Sequence, residues 1–109
     1  MRCDLDALER IRQQVEENPV IIFMKGTPQF PMCGFSSRAS QALKSCGVPF
    51  AYVNVMADMD VMQALPQFAN WPTFPQVYVK GELIGGCDIT IEMHESGELE
   101  PLLKEATGA

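Results

Sequence analysis

The sequence predicts an α/β fold in which helices cover both faces of a four-stranded mixed sheet. Patterns typical of helices and of strands alternate along the 109 residues. The apolar run at residues 20–24 lacks polar alternation, as expected of a strand that is covered on both faces. The connection after it is long enough for parallel pairing with the next strand, whereas the short turn at residues 80–81 requires antiparallel pairing. Both kinds of pairing are therefore expected in one sheet.

The first half of the chain predicts two helices around a central strand. Apolar side chains recur at helical spacing over residues 4–17, and an Asn-Pro pair follows at residues 18–19. Residues 20–24 form the predicted central strand. A turn-rich loop then leads to a second helical pattern, which ends at the Gly-Val-Pro sequence of residues 47–49.

The second half predicts three more strands and two helical regions. Residues 50–55 indicate a strand and residues 58–68 a weakly patterned helix, which the proline-rich residues 71–75 end. A hairpin follows, with strands at residues 76–79 and 82–84. The hairpin is followed by residues 89–94, which are predicted to be helical, and by a terminal helix that carries Leu99, Leu102 and Leu103. The predicted order is helix, strand, helix, strand, helix, strand, strand, helix, which is the thioredoxin-like plan.

Composition and charge narrow the function classes. A chain of 109 residues with 47% hydrophobic content suits one compact domain, residues 1–109. The net charge of -6 disfavours binding to nucleic-acid phosphates. No apolar stretch approaches the roughly 20 residues that span a bilayer, and no basic leader precedes an apolar block, so a cytoplasmic protein without a membrane segment is expected. The four cysteines are widely spaced, which indicates reduced thiols.

Cys33 is the candidate reactive residue, because it opens a predicted helix after a strand and a turn-rich loop. Unpaired N–H groups at a helix start favour negative charge, and Lys25 lies across the same loop, so both should stabilise a thiolate. Ser36 stands where a two-cysteine redox motif has its second thiol. One thiolate then acts with outside help, from glutathione, a metal cluster or both. The alternative is an inert, buried cysteine, while Ser36 is expected to satisfy an unpaired helix donor.

Two further segments offer backbone groups to a ligand. A proline that opens a strand beside a thiol, as Pro75 does, can form a cis peptide bond that leaves the preceding carbonyl and amide pointing outward. Such groups can pair with a peptide backbone, although a simple turn into the strand is the alternative. Residues 85–88 offer N–H groups at a helix start and the carboxylate of Asp88, whose alternative role is a plain helix cap.

Four short sequences together resemble those of the monothiol glutaredoxins. They are Lys-Gly-Thr-Pro at residues 25–28, Cys-Gly-Phe-Ser at 33–36, Trp-Pro-Thr-Phe-Pro at 71–75 and Gly-Gly-Cys-Asp at 85–88. Each lies at a predicted strand or helix boundary, and the resemblance covers nearly the whole chain. Four motifs in family order are much more specific than one.

The resemblance implies a cytoplasmic iron–sulfur protein. Two subunits would each supply Cys33, and two glutathione thiolates would complete the ligands of a [2Fe-2S] cluster, since four soft thiolates suit iron–sulfur chemistry. Because half of the ligands are a diffusible tripeptide, the cluster would be exchangeable, which fits storage or transfer to apo acceptor proteins. BolA-type proteins are the other implied partners.

Two other functions remain as alternatives, and the first of them uses the same predicted site. In a single-cysteine oxidoreductase, Cys33 would attack glutathione mixed disulfides, and a second glutathione would resolve the product. In a non-catalytic interaction module of thioredoxin-like fold, Cys33 would be inert.

The resemblance also implies the residues of the site. Cys33 is expected to be both the catalytic residue and the cluster ligand. The expected contacts of glutathione are Lys25, Phe35, Thr73, Phe74, Pro75, Gly86, Cys87 and Asp88. Pro75 would be the cis-proline, Phe74 would present its main chain, and Asp88 would meet the γ-glutamyl amine. Cys87 would lie near glutathione and pair transiently with Cys33.

One position departs from the family pattern. Where the family usually has an arginine that binds the glycine carboxylate of glutathione, this chain has Met62, so Lys25 would carry that recognition largely alone. The other candidates are given ordinary roles: Cys3 and Cys46 are expected to be structural or incidental, and His94 is not expected to bind a metal.

Overall fold

A computed structural model describes residues 4–71 and 73–108 of the chain. The elements, in chain order, are α1 (Asp4–Glu17), β1 (Val20–Met24), α2 (Gly34–Ser45), β2 (Ala51–Asn54), α3 (Met59–Phe68), β3 (Gln76–Val79), β4 (Glu82–Gly85), α4 (Cys87–Ser96) and α5 (Leu99–Thr107). A single 3-10 turn, Val55–Ala57, joins β2 to α3. None of the helices in this described part is long and apolar enough to cross a membrane.

The strands form one mixed sheet in the order β2-β1-β3-β4. Ile22 of β1 lies opposite Tyr52 of the parallel strand β2 and opposite Val77 of the antiparallel strand β3. β3 and β4 form an antiparallel hairpin. The predicted four-stranded mixed sheet, with residues 20–24 inside it, is thus confirmed.

Every side chain of β1 is buried, because helices cover both faces of the sheet. Ile21 and Phe23 pack in a cluster with side chains of α1 and α3, whereas Ile22 and its neighbours on the other face pack against α2 and α5. Full burial of one such aliphatic or aromatic side chain contributes about 1.5–3 kcal/mol. β1 therefore anchors both helical layers and gives the loop at its carboxyl end a rigid base.

The structure differs from the prediction most clearly at the end of β2, at the start of α4 and in the helices after the hairpin. β2 ends at Asn54 rather than at residue 55, because the Asn54 side chain accepts a hydrogen bond from the N–H of Met56 (3.0 Å) and starts the 3-10 turn. α4 begins at Cys87, two residues before the predicted helical segment. The predicted order has one final helix, whereas the structure has two, since Gly97 takes a left-handed conformation (φ 83°) that ends α4.

Candidate functional site

A cavity of about 700 Å³ lies where the carboxyl end of β1, the start of α2, the segment before β3 and the start of α4 meet. Its wall consists of Lys25, Cys33, Phe35, Met62, Trp71, Thr73, Phe74, Pro75, Gly86, Cys87, Asp88 and Ile89. All the site residues predicted from the sequence are in this set. Met62 of α3 completes the wall, so the structure brings together residues that range from 25 to 89 in the chain.

Cys33 occupies the N-cap position of α2, where its backbone is extended (φ −155°, ψ 137°) and its side chain is partly exposed. The pKa of its thiol lies below the ordinary value, chiefly because the backbone N–H of Ser36 is directed at the sulfur. Partial burial opposes this effect, and the N–H of Phe35, the Ser36 hydroxyl and the charge of Lys25 add to it in decreasing order. The start of the helix therefore stabilises the thiolate more than the lysine does.

Ser36 has a different role from the predicted one. Its side chain is fully buried, and its Oγ accepts a hydrogen bond from the backbone N–H of Lys25 (3.1 Å). The expectation that this hydroxyl satisfies an unpaired N–H of the helix was therefore wrong, because the side chain reaches back to the end of β1. The bond ties the first turn of α2 to the strand and fixes Lys25 beside Cys33.

The loop between β1 and α2 is held by backbone contacts. The N–H of Gly26, a residue with φ 93°, donates to the Asn54 side chain (2.9 Å), and the N–H of Met32 donates to the Lys25 carbonyl (2.9 Å). Thr27 and Phe30 exchange two backbone hydrogen bonds (3.1 and 3.2 Å). The residue before Cys33 is thus anchored to the residue that follows β1.

The segment before β3 forms a second wall of the cavity. The Phe74–Pro75 peptide bond is cis, as predicted. The backbone N–H and C=O of Phe74 form no hydrogen bond with any other group in the described part of the chain. They are therefore available to a ligand in the cavity.

The start of α4 forms the third wall. Its N-cap is Gly86, so the alternative in which Asp88 caps the helix was wrong; Asp88 lies in the first turn with its side chain exposed. A Cβ at Gly86 would lie 3.0 Å from the Pro75 carbonyl oxygen and 3.4 Å from the Trp71 indole nitrogen. A side chain would therefore crowd the contact between the two walls, whereas glycine allows them to meet.

Among the described residues, the two cysteines other than Cys33 are buried. Cys87 is buried in the cavity wall, and burial raises the pKa of its thiol; the charge of Arg38 opposes this rise, whereas those of Asp88 and Cys33 add to it. Cys46, the C-cap residue of α2, is buried and donates to the Ala42 carbonyl (3.4 Å), an environment that suits a structural cysteine. Cys3 lies outside the described residues.

Sequence analysis assigned no role to two residues of the wall, Trp71 and Ile89. The Trp71 indole nitrogen is buried and has no hydrogen-bond partner within the described residues. Trp71 belongs to the Trp-Pro-Thr-Phe-Pro sequence, so that motif could have identified it as a site residue. Nothing in the sequence distinguishes Ile89 from an ordinary helical residue. Met62, the departure from the family pattern, does face the cavity. His94 lies outside its wall, exposed on α4.

A cysteine of lowered pKa at a helix start and a cis-proline line one cavity in a thioredoxin-like fold, and this arrangement is typical of thiol-redox proteins. The sequence model of one family, glutaredoxin, matches residues 20–84. The chain is 55% identical over 101 residues to glutaredoxin 4 of Haemophilus ducreyi, covering 93% of this chain and 94% of that protein. It is 55% identical over 98 residues to glutaredoxin 4 of Escherichia coli K12, covering 90% and 85%.

Solved structures agree with the sequence comparison. The fold is similar to that of a buckwheat glutaredoxin–glutathione complex, with a TM-score of 0.83 and 31% identity over 94% of this chain and 92% of that one. It is also similar to reduced poplar apo GrxS14, with a TM-score of 0.78 and 44% identity over 93% of each chain. The chain belongs to the glutaredoxin family. The predicted family and its thioredoxin-like fold are thereby confirmed.

Proposed function

We propose that this glutaredoxin is of the monothiol type: it binds glutathione and holds a [2Fe-2S] cluster between two subunits, for cluster storage and transfer and for redox homeostasis in the cytoplasm. Cys33 of each subunit and the thiol of each glutathione are the four ligands. One observation carries the proposal. Cys33, a thiol of lowered pKa, has Ser36 in place of a second thiol and lines a cavity of about 700 Å³.

The charges and backbone groups of the cavity match those of glutathione. Lys25 offers a cation to the glycine carboxylate, and the free N–H and C=O of Phe74 can pair with the tripeptide backbone as a short strand. The N–H groups at the start of α4 suit the γ-glutamyl carboxylate, and the Asp88 carboxylate suits its amine. The cavity volume is within the range of about 300–1,000 Å³ that is typical of small-ligand sites.

In the described part of the chain, the side chains that could ligate a metal are too few to hold the proposed cluster without ligands from outside the chain. Within residues 4–71 and 73–108, no group of three or more His, Cys, Asp or Glu side chains could hold a metal ion. Iron–sulfur clusters require thiolates, and Cys33 is the thiol whose pKa is lowered. A cluster bound there takes its remaining ligands from glutathione and from a second chain, so it is cargo that can leave.

Exposed apolar side chains beside Cys33 support a docking surface. Phe30 is 78% exposed, Met32 64% and Phe35 56%. Exposed apolar surface of this kind is typical of protein contacts. We propose that this surface meets the second subunit in the cluster-bound dimer, and in turn BolA-type proteins and apo iron–sulfur acceptors.

A second candidate function is reduction of glutathione mixed disulfides. The lowered pKa of Cys33 favours it, because the thiolate is the attacking form. The Cys33 sulfur would bond to the glutathione sulfur and release the target thiolate. A second glutathione thiolate would then attack that mixed disulfide, which frees Cys33 and yields glutathione disulfide.

Anaerobic reconstitution with iron, sulfide and glutathione tests the proposal. The wild-type protein should become a brown dimer, whereas Cys33→Ser should stay colourless, because a hydroxyl is a poor replacement for a thiolate ligand. Cys87→Ser is the matched control and should keep the colour. Visible absorption and the mass of the assembly report the result. A normal cluster on Cys33→Ser together with its loss from Cys87→Ser would contradict the ligand assignment.

The same preparation separates the two candidate functions. Its cluster should pass readily to an apo-ferredoxin, while turnover of a glutathione mixed disulfide should be weak because Cys33 is engaged as a cluster ligand. Robust disulfide turnover without measurable cluster transfer would favour the oxidoreductase.

A further inference from the structure

Gln76 is a fully buried polar side chain beneath the cavity, at the first position of β3. Its amide nitrogen donates to two backbone carbonyls, that of Trp71 (2.9 Å) and that of Thr73 (3.2 Å). A buried amide that spans two carbonyls of one short segment costs free energy if any of its bonds is lost. The side chain therefore fixes the course of the segment that forms the second wall of the cavity.

Tyr78 sets the orientation of this amide. Its hydroxyl donates to the Gln76 side-chain oxygen (2.9 Å), which leaves the amide nitrogen facing the two carbonyls. Tyr78 is itself buried against the rings of Phe23 and Phe68, and burial raises the pKa of its hydroxyl. The hydroxyl therefore keeps its proton and remains a donor over the physiological pH range.

The bond to Thr73 has a consequence for the next residue. The peptide unit between Thr73 and Phe74 is trans, so its C=O and N–H point in opposite directions in one plane. Because the Thr73 carbonyl is held toward the buried Gln76 amide, the Phe74 N–H is turned away from it. That N–H has no partner in the described residues, and Phe74 lines the cavity.

We propose that Gln76 is a positioning residue for glutathione: by holding the Thr73 carbonyl inward, it aims the Phe74 N–H at the backbone of the bound tripeptide. The inference rests on the proposed glutathione binding and adds to it a residue that does not line the cavity. Gln76 acts through Phe74 and does not touch the ligand.

The test uses Gln76→Met, which keeps an unbranched side chain of similar length but removes both donated hydrogen bonds. Loss of one well-aimed backbone hydrogen bond should weaken glutathione binding about three- to tenfold. Calorimetry measures the affinity. The readout specific to positioning is the Phe74 amide resonance, which should shift strongly when glutathione is added to the wild-type protein and weakly in the variant.

Two controls separate positioning from a general loss of stability. Leu103→Val removes a methylene from the opposite apolar cluster and should lower stability while leaving glutathione affinity unchanged. Tyr78→Phe keeps the ring and the Gln76 donors but frees the amide to rotate, so it should fall between the wild-type protein and Gln76→Met. It also serves as the test variant if Gln76→Met does not fold.

The outcomes are distinguishable. A wild-type protein that binds no glutathione contradicts the proposed function and this inference with it. If the wild-type protein binds glutathione and folded Gln76→Met, or Tyr78→Phe in its place, binds it equally well with the same Phe74 shift, the inference alone is overturned.

Discussion

Cys33 and Cys87 face one cavity, yet their surroundings make them different thiols. Cys33 is partly exposed at the start of α2, and the Ser36 N–H lowers its pKa. Cys87 also stands at a helix start, but it is buried, and burial raises its pKa. The thiolate is therefore concentrated at Cys33, which suits it as metal ligand and nucleophile. Pairing of the two cysteines in a disulfide stays a prediction.

Met62 offers a test of glutathione recognition at the level of one residue. Its side chain lines the cavity on the α3 side, where an arginine would add a second cation beside Lys25. A shielded charge-assisted hydrogen bond contributes about 1.5–3 kcal/mol and an exposed ion pair about 0–1 kcal/mol. For this partly open site we expect Met62→Arg to gain about 0.5–1.5 kcal/mol, or roughly two- to tenfold in affinity measured by calorimetry.

Met59→Arg is the matched control for this change. Met59 belongs to the same helix, but it is exposed and is not part of the cavity wall, so the same charge should leave the affinity unchanged. Added salt should reduce the gain of Met62→Arg. Equal effects of the two variants would show that the gain comes from overall charge and not from contact with the tripeptide.

At the level of elements, the loop from β1 to α2 determines where Cys33 stands. Its first residues are anchored to β1, to β2 through Asn54, and to α2 through Ser36. The contact with β1 is the chain itself, and the other two anchors use the backbone N–H groups of Gly26 and Lys25. The position of the thiol is therefore set by three elements and not by the loop alone.

Gly26→Ala tests this view of the loop. An added Cβ would lie 2.5 Å from the Phe30 carbonyl oxygen and 2.6 Å from the Met32 nitrogen, and the residue has a positive φ. Because both contacts are with backbone, relief requires the loop to move. We expect the free energy of unfolding in urea to fall by at least about 2 kcal/mol.

Gly34→Ala is the comparison for the loop variant. Gly34 opens α2 beside Cys33, and an added Cβ there meets no atom within 4 Å. Its free energy of unfolding should stay within about 0.5 kcal/mol of the wild-type value. Similar losses in the two alanine variants would mean that the loop does not depend on its close backbone contacts.

The sequence predicts elements well where the signal is local and poorly where it depends on a distant partner. Residues 20–24 are apolar throughout, and the structure covers them on both faces. The early end of β2, by contrast, depends on the Asn54 side chain, which bonds to Gly26 as well as to Met56. The Ser36 side chain likewise accepts a hydrogen bond from a distant residue, Lys25. No pattern in the sequence around Ser36 predicts that contact.

At the scale of the whole molecule, the fold gathers the predicted site. Lys25, Cys33, Phe74 and Asp88 come from separate segments, and they meet because the order β2-β1-β3-β4 brings the end of β1 and the start of β3 to one edge of the sheet. The four motifs located these segments in the sequence. Trp71 and Ile89 join them through packing between segments, which residue spacing does not reveal.

The apolar surface beside Cys33 offers a test that separates association of the subunits from glutathione binding. Phe30 is the most exposed of the large apolar side chains near Cys33 and does not line the cavity. Phe30→Gln should therefore leave glutathione affinity unchanged but weaken the cluster-bound dimer. Loss of a central aromatic contact costs about 1–2 kcal/mol, or roughly five- to thirtyfold in the dimer dissociation constant.

Sedimentation of the reconstituted protein over a concentration series measures this effect. Phe30→Leu keeps an apolar side chain and should restore most of the association, because burial of apolar area and not ring chemistry is the expected source of the contact. The backbone hydrogen bonds between Phe30 and Thr27 do not involve the side chain, so the loop should keep its shape in both variants. A dimer as tight in Phe30→Gln as in the wild-type protein would place the interface elsewhere on the molecule.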